Sequence, residues 1–245
     1  MPGHRLDRLA APEVRALAAA GAPLLWAIGS TEQHGTHLVT GFDRRSAEAV
    51  CERAAARCPL DVGLLPPLPY GASDHWLPLG ATFSLRATTL VDVLADVARS
   101  AEAAGFRRLV VVNGHAGNTG PALTALAAIG TGACRVEAVS YWTLVDGAQV
   151  AALSPRDHGG VGHAGEVETS IALHLGDHAI LDRLPAPPGK ALDEGPGSAD
   201  PIARLPRPLD EAPSGVYGDP GGATAELGAL VIEQAADRLA AHLAS

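Results

Sequence analysis

The sequence predicts an α/β fold, a mostly parallel sheet held between layers of helix. Three observations predict it. Two strongly apolar runs, Leu24 to Ile28 and Leu109 to Val112, have the length and composition of strands buried on both faces. Ala- and Val-rich stretches with helical spacing alternate with them along the chain. A segment of Gly, His and other polar residues follows each run, which is where an open α/β sheet carries its chemistry. With 245 residues, 47% of them hydrophobic, the chain is expected to form a single domain over 1–245 around a sizeable core.

In chain order, Glu13 to Ala20 reads as a short helix and Leu24 to Ile28 as a buried strand. Arg45 to Arg57 has the Ala-rich character of a helix, and Val62 to Leu65 is a short apolar run stopped by Pro66 and Pro67. Thr89 to Ala104 is clearly amphipathic: Leu90, Val93, Leu94 and Val97 recur at helical spacing, with Asp92, Asp96 and Arg99 elsewhere. Gly105 suits its C-cap. The strand Leu109 to Val112 follows, then a helix over Gly117 to Ala128 and a strand over Val136 to Tyr141. Glu168 to Leu175 is a short helix and Thr224 to Leu243 a long one. The Pro- and Gly-rich stretch Pro185 to Pro213 reads as a long loop rather than an interdomain linker, because only one helix follows it.

Composition excludes several classes. The net charge is −9, and the 18 basic residues include a single lysine, Lys190, with no cluster that could track phosphates. Nucleic-acid binding is therefore not expected. No apolar run approaches the ~18 residues of a membrane span, and the charged start, Met1 to Arg8, is not followed by a signal-type apolar region. The three cysteines, Cys51, Cys58 and Cys134, form no CxxC pair and read as reduced, packed thiols of a cytoplasmic protein.

Four segments carry chemistry. The first is Glu32-Gln33-His34, with Asp43 following. Glu, His and Asp together suit Zn²⁺, Mn²⁺ or Fe²⁺. In an extended or turn conformation Glu32 and His34 can point to one side. Taken alone, a polar loop with Asp43 near the start of the next helix is the simpler reading. The second segment is Asn113-Gly114-His115-Ala116-Gly117-Asn118, directly after the most apolar strand. Its glycines permit unusual dihedrals and close backbone approach, presenting His115 at the carboxyl edge of the sheet. No serine stands in a G-x-S-x-G arrangement there, so a hydrolase elbow is not supported.

The third segment, His163-Ala164-Gly165-Glu166-Val167-Glu168, opens a helix. A tight Ala-Gly turn would bring His163 back over a site. Both glutamates also suit the positive end of the helix dipole, and for Glu166 that structural role is preferred. The fourth segment, Tyr70 to His75, would line a substrate pocket through Ser73 and His75, and is equally readable as a turn-rich loop.

These motifs, in this order, resemble the creatininase (creatinine amidohydrolase) family: Gly29-Ser-Thr-Glu-Gln-His-Gly-x-His-Leu, Asp43, Asn113-Gly-His-x-Gly-Asn and His163-Ala-Gly-x-x-Glu-Thr-Ser. The Ser73/His75 region, Gly215-Val-Tyr-Gly-Asp-Pro and Ala223-Thr-Ala-Glu are also similar to that family. The resemblance implies a three-layer α/β/α sandwich, a homo-oligomer (often a hexamer), and two divalent metal ions, Zn²⁺ first with Mn²⁺ or Fe²⁺ as alternatives. Glu32 and His115 would hold one ion, His34 the other, and Asp43 would bridge. Creatininase itself adds a glutamate at the position of Gly117. Glu168 is expected to complete the shell in its place, with Glu166 as fallback. His163 matches the family's acid/base, and Ser73, His75, Asn113 and Ala116 would meet substrate.

The implied activity is metal-dependent hydrolysis of a C–N amide-type bond in a small molecule or short peptide, in a bacterial biosynthetic or maturation pathway. Small residues at Ala116 and Gly159-Gly160, where creatininase carries bulky and acidic ones, argue against creatinine as substrate. The resemblance is closer to a mycofactocin-precursor peptidase and to deformylases. Amide formation on the same site and a non-catalytic binding subunit are the alternatives. A nucleotide-binding protein is disfavoured, because Gly29 to Glu32 leads into acidic and His residues rather than a phosphate loop.

Overall fold

The computed structural model describes residues 3–157, 162–177, 179, 181–184 and 208–245. Among the described residues, five strands form one sheet: β1 (His4–Arg5), β2 (Leu24–Ile28), β3 (Gly63–Leu64), β4 (Arg108–Asn113) and β5 (Arg135–Ser140), in the order β1-β3-β2-β4-β5. Every pairing is parallel, and β2 and β4 run in register from Leu24 opposite Leu109 to Ile28 opposite Asn113. The helices described with them are α1 (Ala11–Ala19), α2 (Phe42–Arg57), α3 (Ala87–Ala103), α4 (Thr119–Ile129), α5 (Gly147–Leu153), α6 (Glu166–Leu175), α7 (Pro208–Glu211) and α8 (Ala225–Leu243).

Alternation along β2 and β4 divides the core into two layers. Leu25, Ala27, Val110 and Val112 pack with α2, α6 and α8, whereas Leu24, Trp26, Ile28, Leu109 and Val111 pack with α1, α3 and α4. Both strands are buried on both faces, which is why they read as unbroken apolar runs. Each large side chain so buried is worth roughly 1.5–3 kcal/mol. The expected α/β/α layering is present. All three cysteines are buried and free.

Several boundaries differ from the sequence expectation, and the differences place the site. α2 begins at Phe42, whose side chain is fully buried, so Asp43 lies inside the first turn rather than before it. α6 begins at Glu166, so both glutamates fall in its first turn. Gly117 belongs to a 3₁₀ turn over Ala116–Asn118, and α4 starts only at Thr119. Of the stretch expected as a loop from Pro185 to Pro213, residues 185–207 lie outside the described residues, and Pro208–Glu211 is α7. Thr224 caps α8, accepting from the Leu227 amide.

Candidate metal centre

The carboxyl ends of β2 and β4 deliver the first ligand-type side chains. Glu32 and His34 stand on the loop after β2, and His115 stands just past β4. A Cβ on Gly114 would lie 2.1 Å from the Asp43 carbonyl oxygen. Only glycine lets the β4 loop pass so close to the first turn of α2, and that passage brings Asp43 to His115. Asp43 Oδ1 is 3.0 Å from His34 Nε2, and Asp43 Oδ2 is 3.2 Å from His115 Nδ1.

α6 supplies the remainder from the far part of the chain. Ala164 adopts a left-handed φ of 53°, and its amide donates to Glu168 Oε2 at 2.6 Å. This turn folds His163 back so that its Nδ1 lies 3.4 Å from Glu32 Oε1, while Glu168 Oε2 lies 3.7 Å from His34 Nε2. Three groups have ligand atoms within 4.8 Å of one another: Glu32 with His34 and His163, Glu32 with His75 and His115, and His34 with Asp43 and Glu168.

The hydrogen bonds of the three closest imidazoles share one arrangement. His34 Nδ1–H donates to the Glu32 carbonyl (3.1 Å), His115 Nε2–H to the Ala72 carbonyl (3.2 Å) and His163 Nε2–H to the Gln33 carbonyl (2.8 Å). In each ring the opposite nitrogen is turned to buried carboxylates, the orientation that second-sphere carbonyls impose on metal-binding histidines. Both carboxylate oxygens of Glu32, fully buried, and Asp43 Oδ2 have no hydrogen-bond partner. His115 Nδ1 stands 3.2 Å from Glu32 Oε1 but is not aligned as a donor to it. His34 Nε2 is hydrogen-bonded to Asp43 Oδ1, but the unpartnered Glu32 oxygens and Asp43 Oδ2 that face the same point suit a shared cation, and Glu, Asp and His fit Zn²⁺, Mn²⁺ or Fe²⁺.

Electrostatics of the metal-free site follow from the same crowding. Burial would lower the His34 pKa, but the adjacent Asp43 carboxylate raises it to about 10. His115 is likewise raised, with burial opposed mainly by Glu32. Burial works against the charged form of Asp43, yet His34 and His115 hold its pKa below the usual carboxylate range. Burial pushes Glu168 up to about 7. His163 is pushed down to about 3 by burial and by the neighbouring His34.

Comparison with known proteins meets this geometry. The family model described as "Creatininase: Creatinine amidohydrolase" matches residues 7–243. The chain belongs to the creatininase family. It is 35% identical over 238 residues to the mycofactocin precursor peptide peptidase of Mycobacterium ulcerans (strain Agy99), covering 90% of this chain and 84% of that one. A solved structure described as "Creatininase Mn" aligns with a TM-score of 0.82 at 28% identity, covering 98% of this chain and 97% of its own. Another, a mutant creatininase described as "Zn-Zn type", aligns with a TM-score of 0.81 at 29% identity, covering 97% and 96%. The protein is thus a creatininase-family hydrolase, an amidohydrolase by class, and the fold is that of creatininase.

Among the residues expected at the creatininase-type centre, the structure gathers Glu32, His34, Asp43, His115, His163 and Glu168. Glu166 stands apart. Its Oε2 accepts from Ser154 Oγ and from the amides of Arg156 and Asp157, so it braces the loop before α6. Two residues expected to meet substrate take other places. Asn113 spends its amide group on His115 N, His115 O and Ser140 Oγ, fixing the loop that carries His115. Ser73 is fully buried behind His115, 3.1 Å from Nε2 and 2.5 Å from Ser30 Oγ. Ala116 is exposed and His75 half-buried, while Gly159 and Gly160 lie outside the described residues.

Sequence reasoning missed four contributors. Gln33 places Nε2 3.0 Å from His163 Nε2 and donates to the Gly215 carbonyl, and its place between Glu32 and His34 was the available signal. Trp76, beside His75, stacks on His163 with ring centroids 4.2 Å apart, and Tyr217 pairs its backbone with His163. Ser30, hydrogen-bonded to Ser73 behind His115, was signalled only by its place in the motif Gly29-Ser-Thr-Glu. Gly117 is required: a Cβ there would lie 2.3 Å from the Ala72 carbonyl oxygen and 2.4 Å from His115 Nε2.

Proposed function

We propose that the protein hydrolyses a C–N amide-type bond of a short peptide or small molecule at a centre for two divalent ions. Glu32 and His115 would hold one ion, His34 and Glu168 the other, with Asp43 shared. The observation that carries this reading is the common orientation of His34, His115 and His163, each tied by one nitrogen to a backbone carbonyl and turned by the other to buried carboxylates. When bound, such ions supply Lewis acidity, polarising an amide carbonyl and acidifying a water molecule.

The chain's own residues supply the rest. Gln33 fixes the His163 ring through its carbonyl, which leaves Nδ1 facing the site. Burial and the neighbouring His34 favour the neutral form of His163, which suits it to take up a proton at Nδ1 before passing it to a departing nitrogen. Trp76, only 2% exposed, covers the ring face and keeps water from it. The small, exposed Ala116 leaves the approach to His115 unobstructed by side chain, which suits an extended peptide better than a sealed small-molecule pocket. A peptide substrate also agrees with the mycobacterial relative's description as a peptide peptidase. The three buried free cysteines agree with a reducing cytoplasm, and family resemblance suggests a homo-oligomer, a hexamer, whose assembly light scattering on the purified protein tests. Among the described residues, no helix is long and apolar enough to cross a membrane.

Metal analysis of the purified protein, followed by assay against short peptides and simple amides, tests the reading. Two equivalents of Zn²⁺ or Mn²⁺, with activity abolished by chelation and restored by metal, are expected. His163→Ala should keep its metal and lose roughly 10²–10⁴-fold in kcat. A protein that binds no divalent ion, or a hydrolase indifferent to chelation, would falsify it.

A further inference from the structure

His75 is left over by the assignment above. It stands in the 3₁₀ turn Asp74–Leu79, on the loop that also supplies the Ala72 carbonyl to His115. Its ring lies parallel to that of His115, with centroids 5.8 Å apart and planes 2° from one another, and its other ring neighbour is Trp76. Among the described residues neither ring nitrogen of His75 has a hydrogen bond or an ion pair, although the side chain is only half-exposed. Glu32, which both His75 and His115 face, has two fully buried carboxylate oxygens without a hydrogen-bond partner.

We propose that His75 is a third protein ligand of the ion held by Glu32 and His115. The inference rests on the metal-centre reading given above. Ligand atoms of His75, Glu32 and His115 all lie within 4.8 Å of one another. Nitrogen and oxygen ligands bound at about 2.0–2.2 Å to one ion are at most ~4.4 Å apart, so a small rotation of the half-exposed imidazole closes the set. The two rings now lie in nearly parallel planes, and because an imidazole lone pair lies in its ring plane, the rotation must tip the His75 plane toward the point that His115 addresses. The two sites then differ. His34 and Glu168 with Asp43 give one ion a single imidazole, whereas Glu32, His75 and His115 with Asp43 give the other two imidazoles. Additional imidazole favours Zn²⁺ at that position over the harder Mn²⁺. The loop carrying His75 is thereby tied to metal loading, and with it the stacked Trp76 that covers His163.

The experiment strips the full-length protein with chelator and titrates it with Zn²⁺ and, separately, with Co²⁺, for the wild type, His75→Ala and His75→Gln. The glutamine variant keeps side-chain size and hydrogen-bonding capacity but is a poor ligand, so it decides the matter where the alanine variant fails to fold. Expected are a Kd for one of the two ions raised tenfold or more in the substituted proteins, the other unchanged, and an altered visible Co²⁺ spectrum reporting a changed coordination shell. Two ions held in His75→Gln with wild-type Kd and an unaltered Co²⁺ spectrum overturn the assignment and return His75 to the substrate side. A wild-type protein that takes up no metal overturns the underlying metal-centre reading instead, and the two failures are told apart by that control.

Discussion

Asp43 divides its carboxylate between two histidines: Oδ1 lies 3.0 Å from His34 Nε2 and Oδ2 lies 3.2 Å from His115 Nδ1. Asp43→Asn keeps the size of the side chain but removes the charge that a pair of cations would share. The expected outcome is metal affinity weakened by at least about 100-fold at both positions, with activity lost in parallel. Equilibrium dialysis of the variant checks it, and loss of only one ion would assign Asp43 to a single site.

Glu166 and Glu168 sit two residues apart in one helical turn and should behave in opposite ways. Glu166→Gln removes a charge that accepts from Ser154 Oγ and two backbone amides, so it should cost roughly 1–3 kcal/mol of stability and leave metal content intact. Glu168→Gln should lower affinity for one ion by about 10- to 100-fold and loosen the Ala164 turn that holds His163. Calorimetry and metal analysis on the same two preparations separate the cases.

Metal affinity should rise with pH. In the metal-free protein His34 keeps its proton up to about pH 10, and His115 is also raised. A cation must displace these protons, so affinity gains about tenfold per pH unit for each ion that releases one proton. The stability of the metal-free protein runs the other way. The folded-state pKa of His34 lies above its ordinary value of 6.5, so its contribution is fully present below that pH and is lost as pH rises through about 10. Titration calorimetry in buffers of different ionisation enthalpy counts the protons, and an affinity that falls between pH 7 and 9 would refute the linkage.

Gln33 holds the acid/base candidate from behind. Its Nε2 donates to the Gly215 carbonyl at 3.1 Å and its Oε1 accepts from the Gly35 amide at 2.9 Å. Gln33→Leu strands both backbone partners, costing about 1–3 kcal/mol, and loosens the 33–35 turn whose Gln33 carbonyl holds the His163 ring. A fall in kcat of about tenfold with KM and metal content unchanged is the expected signature, since only the proton-transfer geometry is disturbed. A change confined to KM would place Gln33 on the substrate path instead.

What the sequence made legible was whatever is local. Leu24 to Ile28 and Leu109 to Val112 announce buried strands because both of their faces meet helices, and His115 announces itself because glycines flank it at a strand end. Closure of the site was not legible from residue pattern, since it depends on contacts between distant segments. His163 and Glu32 are 131 positions apart in number (163 less 32) and meet only because Ala164 takes a left-handed φ. Ser73 and Asn113 looked like substrate contacts because polar residues at a loop invite that reading. Their hydrogen bonds to His115 are invisible until the β4 loop is folded against the Ala72 loop. The two-residue strand β1 is too short to show any period, and α5 carried only the Asp146 cap, which accepts from Ala148 and Gln149 amides.

The absence of a side chain at position 117 has a consequence for which ligand sets this loop can carry. The Ala72 carbonyl that crowds Gly117 is the same group that orients His115. A glutamate at 117 therefore needs the 71–73 loop to recede first, and that retreat releases the imidazole the new carboxylate would have to work beside. The two ligand arrangements therefore call for two different positions of the 71–73 loop. A glutamate placed at 117 should hold its fold and its His115 geometry only when the 71–73 loop is changed with it.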